Sequence, residues 1–154
     1  MRKKVKTSWE FKHKGVECEI VFWFNELMQK PEHEIVYPHK GIWNSYILIR
    51  EEDIAPDLFK QLVCPRTKRV YPSGDRWSYD YSKFPIDMES GITYYEIQKT
   101  AHCKPKKMIK VGNDYNHIWN EHYHYDEQVI KKDLEKSVDD LLEFLGVEEI
   151  KNDY

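Results

Sequence analysis

We predict an α+β fold for this chain, a mainly antiparallel sheet with a short middle helix and a long C-terminal helix packed on it. Composition predicts the sheet. The 154 residues include 11 Tyr, 6 Phe and 5 Trp, whereas alanine occurs only at Ala55 and Ala101. Rings and β-branched side chains favour strands, while alanine is the best helix former. The helix is predicted by apolar residues that recur at three and four positions near the C-terminus.

The length of 154 residues predicts one domain, 1–154, because domains cluster around ~100–150 residues. We expect its basic start, 1–7, and its acidic end, 147–154, to fray. A formal charge of -3 makes nucleic acid an improbable partner. No apolar stretch is long enough to span a bilayer, and no apolar core follows the basic start. We therefore expect no membrane partner and a cytoplasmic location.

The first elements are predicted to be a hairpin. Polar and apolar residues alternate from Ser8 to Glu26, and His13-Lys14-Gly15 supplies the turn after a first strand at Trp9–Lys12. The apolar face of the second strand is Val16, Cys18, Ile20, Phe22 and Phe24. A buried strand is predicted at 41–49. A short helix follows from Asp53, a possible cap, to Leu62.

The later elements are an ordered loop, two strands and a helix. Residues 65–85 contain three prolines and several rings, which predicts an ordered loop or irregular edge. Strands are predicted at 91–97 and 107–111. Asp126 is placed to cap the last helix, and Gly146 to end it. The apolar positions of that helix are Val129, Ile130, Leu134, Val138, Leu141, Leu142 and Leu145.

A polar stretch, 112–126, separates the last predicted strand from the helix. Imidazole and carboxylate groups suit zinc or manganese, so this stretch could hold a metal. The candidate ligands are His117, His122, His124 and Asp114 or Glu121. Their spacing matches no diagnostic motif. The alternative is a polar loop in which Asp and Asn turn the chain, and we favour it, with no cofactor. The three cysteines, Cys18, Cys64 and Cys103, are widely spaced, which predicts reduced thiols.

Two basic stretches carry the residue types that nucleotide ligands need. Lys and Arg bind phosphate, and Tyr or Trp stacks on a base. One stretch is Lys99, His102, Lys104, Lys106, Lys107 and Lys110. In the other, Arg66, Lys68, Arg69 and Arg76 sit among Tyr71, Trp77 and Tyr79. The alternative interpretation is a solvated basic loop, which is the stronger one for the lysine run. A third candidate is the turn at 88–94, where Glu89, Ser90 and Thr93 could bond a ligand.

The chain resembles a family of small, uncharacterised tailed-phage proteins with a His-Gly-Gly-Leu-Thr-Tyr-like strand and a Gly-Phe-Asp-Cys-Ala-His-x-Gly-Asp-like loop. The matching positions are Gly91, Thr93, Tyr94, Gly112, Asp114 and His117. Glu89 stands where the family has His, Ser90 where it has Gly, and Asn120 where it has its last Asp. These exchanges suit a polar binding pocket better than strict metal catalysis. The resemblance implies a phage-encoded protein that acts in the host bacterial cytoplasm.

Together these features favour a non-enzymatic accessory protein that binds and sequesters a small anionic, nucleotide-derived immune signal of the host, such as a cyclic nucleotide or an ADP-ribose derivative. The candidate ligand-binding residues are Glu89, Thr93, Tyr94, Asp114, His117, Arg76, Trp77, Lys106, Lys107 and Trp119. Two alternatives stay open: a metal-dependent phosphodiester hydrolase, and an inhibitor that binds a host enzyme through the acidic C-terminal helix. A homo-oligomer that builds its pocket at a subunit seam also stays open.

Overall fold

A five-stranded antiparallel sheet forms the centre of the protein. The structure is a computed structural model that describes residues 4–25, 41–88, 91–99, 105–115 and 126–151. The strands of the main sheet are β1 (Lys4–His13), β2 (Val16–Asn25), β3 (Gly41–Arg50), β6 (Tyr94–Lys99) and β7 (Lys107–Asp114). Their order across the sheet is β1-β2-β3-β7-β6, and every neighbouring pair is antiparallel.

Two further strands and two α-helices complete the described elements. β4 (Arg66–Arg69) and β5 (Arg76–Tyr79) pair as a separate two-stranded sheet. The helices are α1 (Pro56–Leu62) and α2 (Glu127–Leu145), and a 3-10 turn at Glu51–Asp53 precedes α1. The predicted α+β fold, with a short middle helix and a long C-terminal one, is confirmed. Within the described ranges, no helix is long and apolar enough to cross a membrane.

Helix α2 packs on one face of the main sheet, which we call the covered face. Apolar positions on the helix pack against β2 and β3, as the sequence pattern predicts, and buried residues of β7 belong to the same core. The buried apolar residues of the helix are Ile130, Leu134, Val138, Leu141, Leu142 and Leu145. The buried strand residues are Val16, Cys18, Ile20, Ile47, Ile49, Ile109 and Val111. The opposite face, the open face, carries polar side chains that include Glu19, Tyr46, Glu96 and Lys110.

The predicted caps of α2 are confirmed. Asp126 accepts a hydrogen bond from the Val129 N–H at 2.9 Å, which satisfies one of the free donors in the first turn. Gly146 ends the helix in the left-handed conformation, with a φ of 71°. Val129 differs from its prediction as a core position, because its side chain is 39% exposed. The helix therefore turns its first apolar position to solvent and begins to pack at Ile130.

The predicted first hairpin is confirmed, and its turn needs positive φ angles. Lys14 has a φ of 51° and Gly15 a φ of 85°, as a two-residue type I′ turn requires. The segment after α2 binds this turn, since the Ile150 N–H donates to the Lys14 carbonyl at 2.8 Å. Ile150 thus lies within the C-terminal stretch that we expected to fray. Likewise β1 begins at Lys4, inside the basic start.

Three boundaries differ from the sequence prediction. The Asp53 cap is wrong, because α1 starts at Pro56 with Ala55 as its N-cap and Asp53 ends the 3-10 turn. Proline suits the first helical position, where no N–H is needed. Strand β6 starts at Tyr94 rather than residue 91, and β7 runs to Asp114 rather than 111. The stretch 65–85, predicted as an ordered loop, contains the β4–β5 sheet.

Candidate functional site

Three of the predicted ligand-binding residues meet where β6 begins and β7 ends. The Asp114 N–H donates to Thr93 Oγ1 at 2.9 Å, and the Thr93 N–H donates to the Gly112 carbonyl at 3.0 Å. Tyr94 follows Thr93 and pairs with Gly112 in the strand register. The structure therefore brings Thr93, Tyr94 and Asp114 together, as a single site would require.

Tyr94 is nevertheless engaged by its neighbours on the open face. Its hydroxyl donates to a Glu96 carboxylate oxygen, and this bond, aided by desolvation, raises the pKa of Tyr94 to about 12. Its ring stands edge-on to Tyr46, with ring centroids 5.3 Å apart. Lys110 Nζ lies 4.3 Å from the Tyr46 ring centroid and 3.8 Å from a Glu19 carboxylate oxygen. The open face around Tyr94 is thus a set of satisfied internal contacts.

Gly112 is required for this arrangement. A Cβ atom there would lie 2.2 Å from the Ser45 carbonyl oxygen and 2.5 Å from Cδ1 of Tyr46. The next residue, Asn113, points to the covered face, is 1% exposed and accepts a hydrogen bond from the Ser45 hydroxyl. The sequence stretch 112–114 had been assigned to a polar loop. It is instead the end of β7, and the buried side-chain amide of Asn113 bonds with Ser45 on β3.

The two predicted phosphate ligands Lys106 and Lys107 lie away from Asp114. Lys107 begins β7 and Asp114 ends it, so roughly 23 Å of extended chain separates them. The Lys107 N–H is 3.5 Å from a Glu51 carboxylate oxygen, a long contact beside the 3-10 turn. One continuous strand therefore keeps these lysines from sharing a site with Thr93, Tyr94 and Asp114.

Arg76 and Trp77 belong to a third place, the β4–β5 hairpin. We call residues 65–80 the basic hairpin, because β4, β5 and their connection carry four bases, Arg66, Lys68, Arg69 and Arg76, and one acid, Asp75. Asp80 lies at its end. The connection turns at Tyr71-Pro72-Ser73-Gly74, where the Gly74 N–H donates to the Tyr71 carbonyl at 3.0 Å. Proline in the second place of such a turn fits its fixed φ.

The root of the basic hairpin is fixed to the main sheet by Tyr95, which is buried. The Tyr95 hydroxyl donates to the Leu62 carbonyl at 2.7 Å and accepts from the Cys64 N–H at 3.0 Å. Burial raises the pKa of this phenol, so it stays neutral and able to donate. The Tyr79 ring packs on Tyr95 with centroids 4.9 Å apart. One of the hairpin's three rings, Tyr79, therefore packs against the core.

The tip of the basic hairpin is exposed. Val70 is 77% exposed, Trp77 59% and Tyr71 42%. In the strand register Arg69 lies directly opposite Arg76, so two guanidinium groups share one face. Like charges in directly opposed positions destabilise a strand pair. Lys68 and Trp77 are opposed on the other face, where Lys68 Nζ binds Asp75 at 2.9 Å.

Sequence reasoning named Arg76 and Trp77 but missed that Arg69 opposes Arg76. The signal was available in Arg66-Thr67-Lys68-Arg69 and Arg76-Trp77-Ser78-Tyr79, two short β-compatible runs around a Pro and Gly turn. A two-stranded hairpin formed by those two runs has Arg69 opposite Arg76. The three prolines of 65–85 led the prediction towards irregular structure instead.

A concavity of about 440 Å³ lies on the open face beside β1 and β2. Glutamates dominate its charged lining, and two of the face's ion pairs are Arg50 with Glu17 at 3.0 Å and Lys110 with Glu19 at 3.8 Å. Its lining residues are Glu10, Phe11, Lys12, Glu17, Cys18, Glu19, Leu48 and Arg50. Three carboxylates against two bases make this concavity a poor place for an anion.

The remaining candidate residues fall outside the described ranges. These are Glu89, His117 and Trp119, together with the possible metal ligands His122 and His124. In the part of the chain that the structure describes, no three His, Cys, Asp or Glu side chains group as a metal site would need. The metal hypothesis therefore stays a prediction. Comparison of the chain with protein-family models, with curated proteins and with solved structures found no match.

Proposed function

We propose that this protein binds a nucleotide-type anion without turning it over, and that the basic hairpin is its contact surface. One observation carries the proposal: Arg69 and Arg76 are opposed on one face of an exposed hairpin, whose other face exposes the indole of Trp77 opposite Lys68. Among the described residues, no ion pair neutralises either guanidinium. A phosphate bound between them would turn a repulsive pair into two charge-assisted hydrogen bonds.

The groups on the other face of the hairpin suit the base of a nucleotide. An exposed Trp offers a flat apolar surface on which a base can stack, worth ~1–3 kcal/mol per base. Arg66 Cζ already lies 5.9 Å from the Tyr79 ring centroid, so cations and rings alternate along this ribbon. The buried contacts of Tyr95 hold the root in place. A fixed root lowers the entropy lost when the hairpin orders around a ligand.

Binding without catalysis agrees with the state of the described thiols. Cys18 and Cys64 are both buried. Desolvation raises the pKa of Cys18 to about 12 and raises that of Cys64 as well. A thiol attacks as its thiolate, so neither group is suited to act as a nucleophile. The identity of the ligand as a host immune signal, sequestered by a phage protein, rests on the family resemblance.

Calorimetric titration tests the proposal with three probes: a cyclic dinucleotide, ADP-ribose and a ten-residue oligothymidylate. Separate probes distinguish a small nucleotide from single-stranded nucleic acid, which share phosphate and base. We expect Arg69→Ala, Arg76→Ala and Trp77→Ala each to weaken the binding of the active probe roughly tenfold. Lys136→Ala, which removes an exposed cation from α2, is the matched control.

Circular dichroism confirms that each variant is folded before it is titrated. The proposal fails if folded wild-type protein binds none of the three probes. It also fails if the hairpin variants and Lys136→Ala bind the active probe equally well, because the contact surface would then lie elsewhere.

A further inference from the structure

Among the described residues, strand β1 is an edge of the main sheet, because no described strand pairs with its outer side. It spans ten residues, and β2 is its neighbour in the sheet order. His13 and Val16 flank the two-residue turn, so they form the closing hydrogen-bonded pair of the hairpin. Alternation then directs the N–H and C=O groups of Lys6, Ser8 and Glu10 away from β2. A strand edge of this length is a template for another strand.

The charges of β1 complement themselves when the strand pairs with a copy of itself. With Ser8 opposite Ser8 in an antiparallel pair, Lys6 of each copy faces Glu10 of the other. All three side chains are exposed and project to the open face. Opposite charges in directly opposed positions stabilise a strand pair, so two equivalent ion pairs would flank the two-fold axis. On the covered face the same register sets Thr7 opposite Trp9.

Registers centred further along β1 are less favourable. Centring the pair on Trp9 would set Lys6 opposite Lys12, and centring it on Glu10 would oppose two carboxylates. The Ser8 register itself sets Lys4 opposite Lys12, but only at the outer ends of the paired strands. The other edge, β6, has six residues and Glu96 near its middle, so it offers a shorter pairing. Lysines on an edge usually discourage pairing. In β1, Glu10 lies between Lys6 and Lys12, and it is the partner of Lys6 from the other copy.

We propose that two copies of the chain associate through antiparallel pairing of β1 about Ser8, which joins their main sheets into one. The seam is isologous, as a two-fold dimer requires. This inference is independent of the proposed function, because it concerns the first strand of the main sheet and uses none of the basic hairpin's residues.

Sedimentation velocity over a range of protein concentrations tests the seam. We expect a concentration-dependent monomer–dimer equilibrium for the wild type. Glu10→Lys and Lys6→Glu should each weaken it about tenfold, since each sets like charges opposite one another in both pairs. The double exchange K6E/E10K restores both pairs in reversed orientation, so it should recover the wild-type dissociation constant. Glu52→Lys makes the same charge change at an exposed position outside β1.

A cysteine cross-link provides a second measurement that does not depend on charge. Directly opposed residues in a hydrogen-bonded pair have Cα atoms ~5.5 Å apart, within disulfide range. We therefore expect Ser8→Cys to form a covalent dimer under mild oxidation and Lys12→Cys to form far less. A wild type that is monomeric at every concentration, a double exchange that fails to recover the dimer, or equal cross-linking at both positions would overturn the proposal.

Discussion

At Gly15 the chain has no room for a side chain. A Cβ atom there would lie 1.8 Å from the Ile150 carbonyl oxygen, and the φ of 85° is itself strained for any other residue. We expect Gly15→Ala to lower the free energy of unfolding by more than the ~1–2 kcal/mol of left-handed strain alone, because the segment after α2 must also move. Urea denaturation followed by circular dichroism measures this loss.

Gly146→Ala is the matched control for that prediction. Gly146 has a φ of 71°, and nothing lies within 4 Å of the position its Cβ would take. This variant introduces the backbone strain without the clash. Equal losses at the two positions would show that Ile150 does not hold the turn.

The two described thiols should be slow to react in the folded protein. Cys18 and Cys64 are buried, and desolvation raises the pKa of each, so little thiolate forms. In a Cys103→Ser background, we expect Ellman's reagent to modify both thiols promptly in denaturant and at least tenfold more slowly without it. Prompt reaction of either thiol in native buffer would contradict its burial.

Single residues could be assigned from the sequence where their signal is local. Asp126 and Gly146 were predicted correctly because caps depend on the few residues beside them. Asn113 could not be assigned in this way. Its amide is buried against Ser45, a partner 68 residues away in the chain. A polar residue among Gly, Asn and Asp indicates a loop until the paired strand is known.

At the scale of elements, α2 contributes most through its buried stripe. Leu134 is 1% exposed, so Leu134→Ala should lower the free energy of unfolding by ~2–5 kcal/mol through lost burial and a residual cavity. Val129 follows the same sequence pattern but is 39% exposed. Val129→Ala should therefore cost less than about 1 kcal/mol. Thermal or urea unfolding of both variants checks this difference, and similar losses would refute the burial assigned to α2.

The sequence predicted the positions of the strands more reliably than their end residues. β2 and β3 appeared where β-branched residues and rings cluster. The end of β7 was misplaced because Gly112, Asn113 and Asp114 lack β propensity, and tertiary pairing with β3 overrides it. The β4–β5 hairpin was missed because the three prolines of residues 65–85 indicated irregular structure. Its strands have four residues each, and their pairing becomes evident only once the turn between them is drawn.

At the scale of the whole molecule, acid should loosen the contact between α2 and the first hairpin. Asp139 binds Lys14 Nζ at 2.8 Å and His13 Nε2 at 2.9 Å, and these bonds hold the pKa of Asp139 below its usual range. A lowered folded-state pKa stabilises the protein above the unfolded value. That contribution is lost as the pH falls through the folded value, so unfolding should become easier from about pH 5 downward.

Asp139→Asn should flatten this part of the pH dependence of urea unfolding. Asp140→Asn, which removes the adjacent carboxylate, is the control, because the described part of the chain contains no ion pair to Asp140. Equal flattening in both variants would show that the contacts with Lys14 and His13 do not set the acid response.

Several residues that the sequence analysis grouped into one candidate site lie far apart in the structure. Thr93, Tyr94 and Asp114 lie together where β6 begins and β7 ends. Lys107 lies at the opposite end of the strand that carries Asp114, and Arg76 and Trp77 stand on a separate sheet. Residue types suggested the chemistry of an anion site, which stays a prediction, but nothing in the sequence fixes which strand ends coincide. The geometry therefore favours the basic hairpin alone as the contact surface.

The most direct test of that claim is a titration of isotope-labelled protein followed by amide chemical shifts. With ADP-ribose, a cyclic dinucleotide or oligothymidylate, we expect the largest saturable changes at residues 66–79 and at the Trp77 indole N–H. The β1–β2 turn should remain unchanged. Changes confined to Thr93, Tyr94 and Asp114, or no change with any of the three ligands, would contradict the assignment of the hairpin as the anion-binding surface.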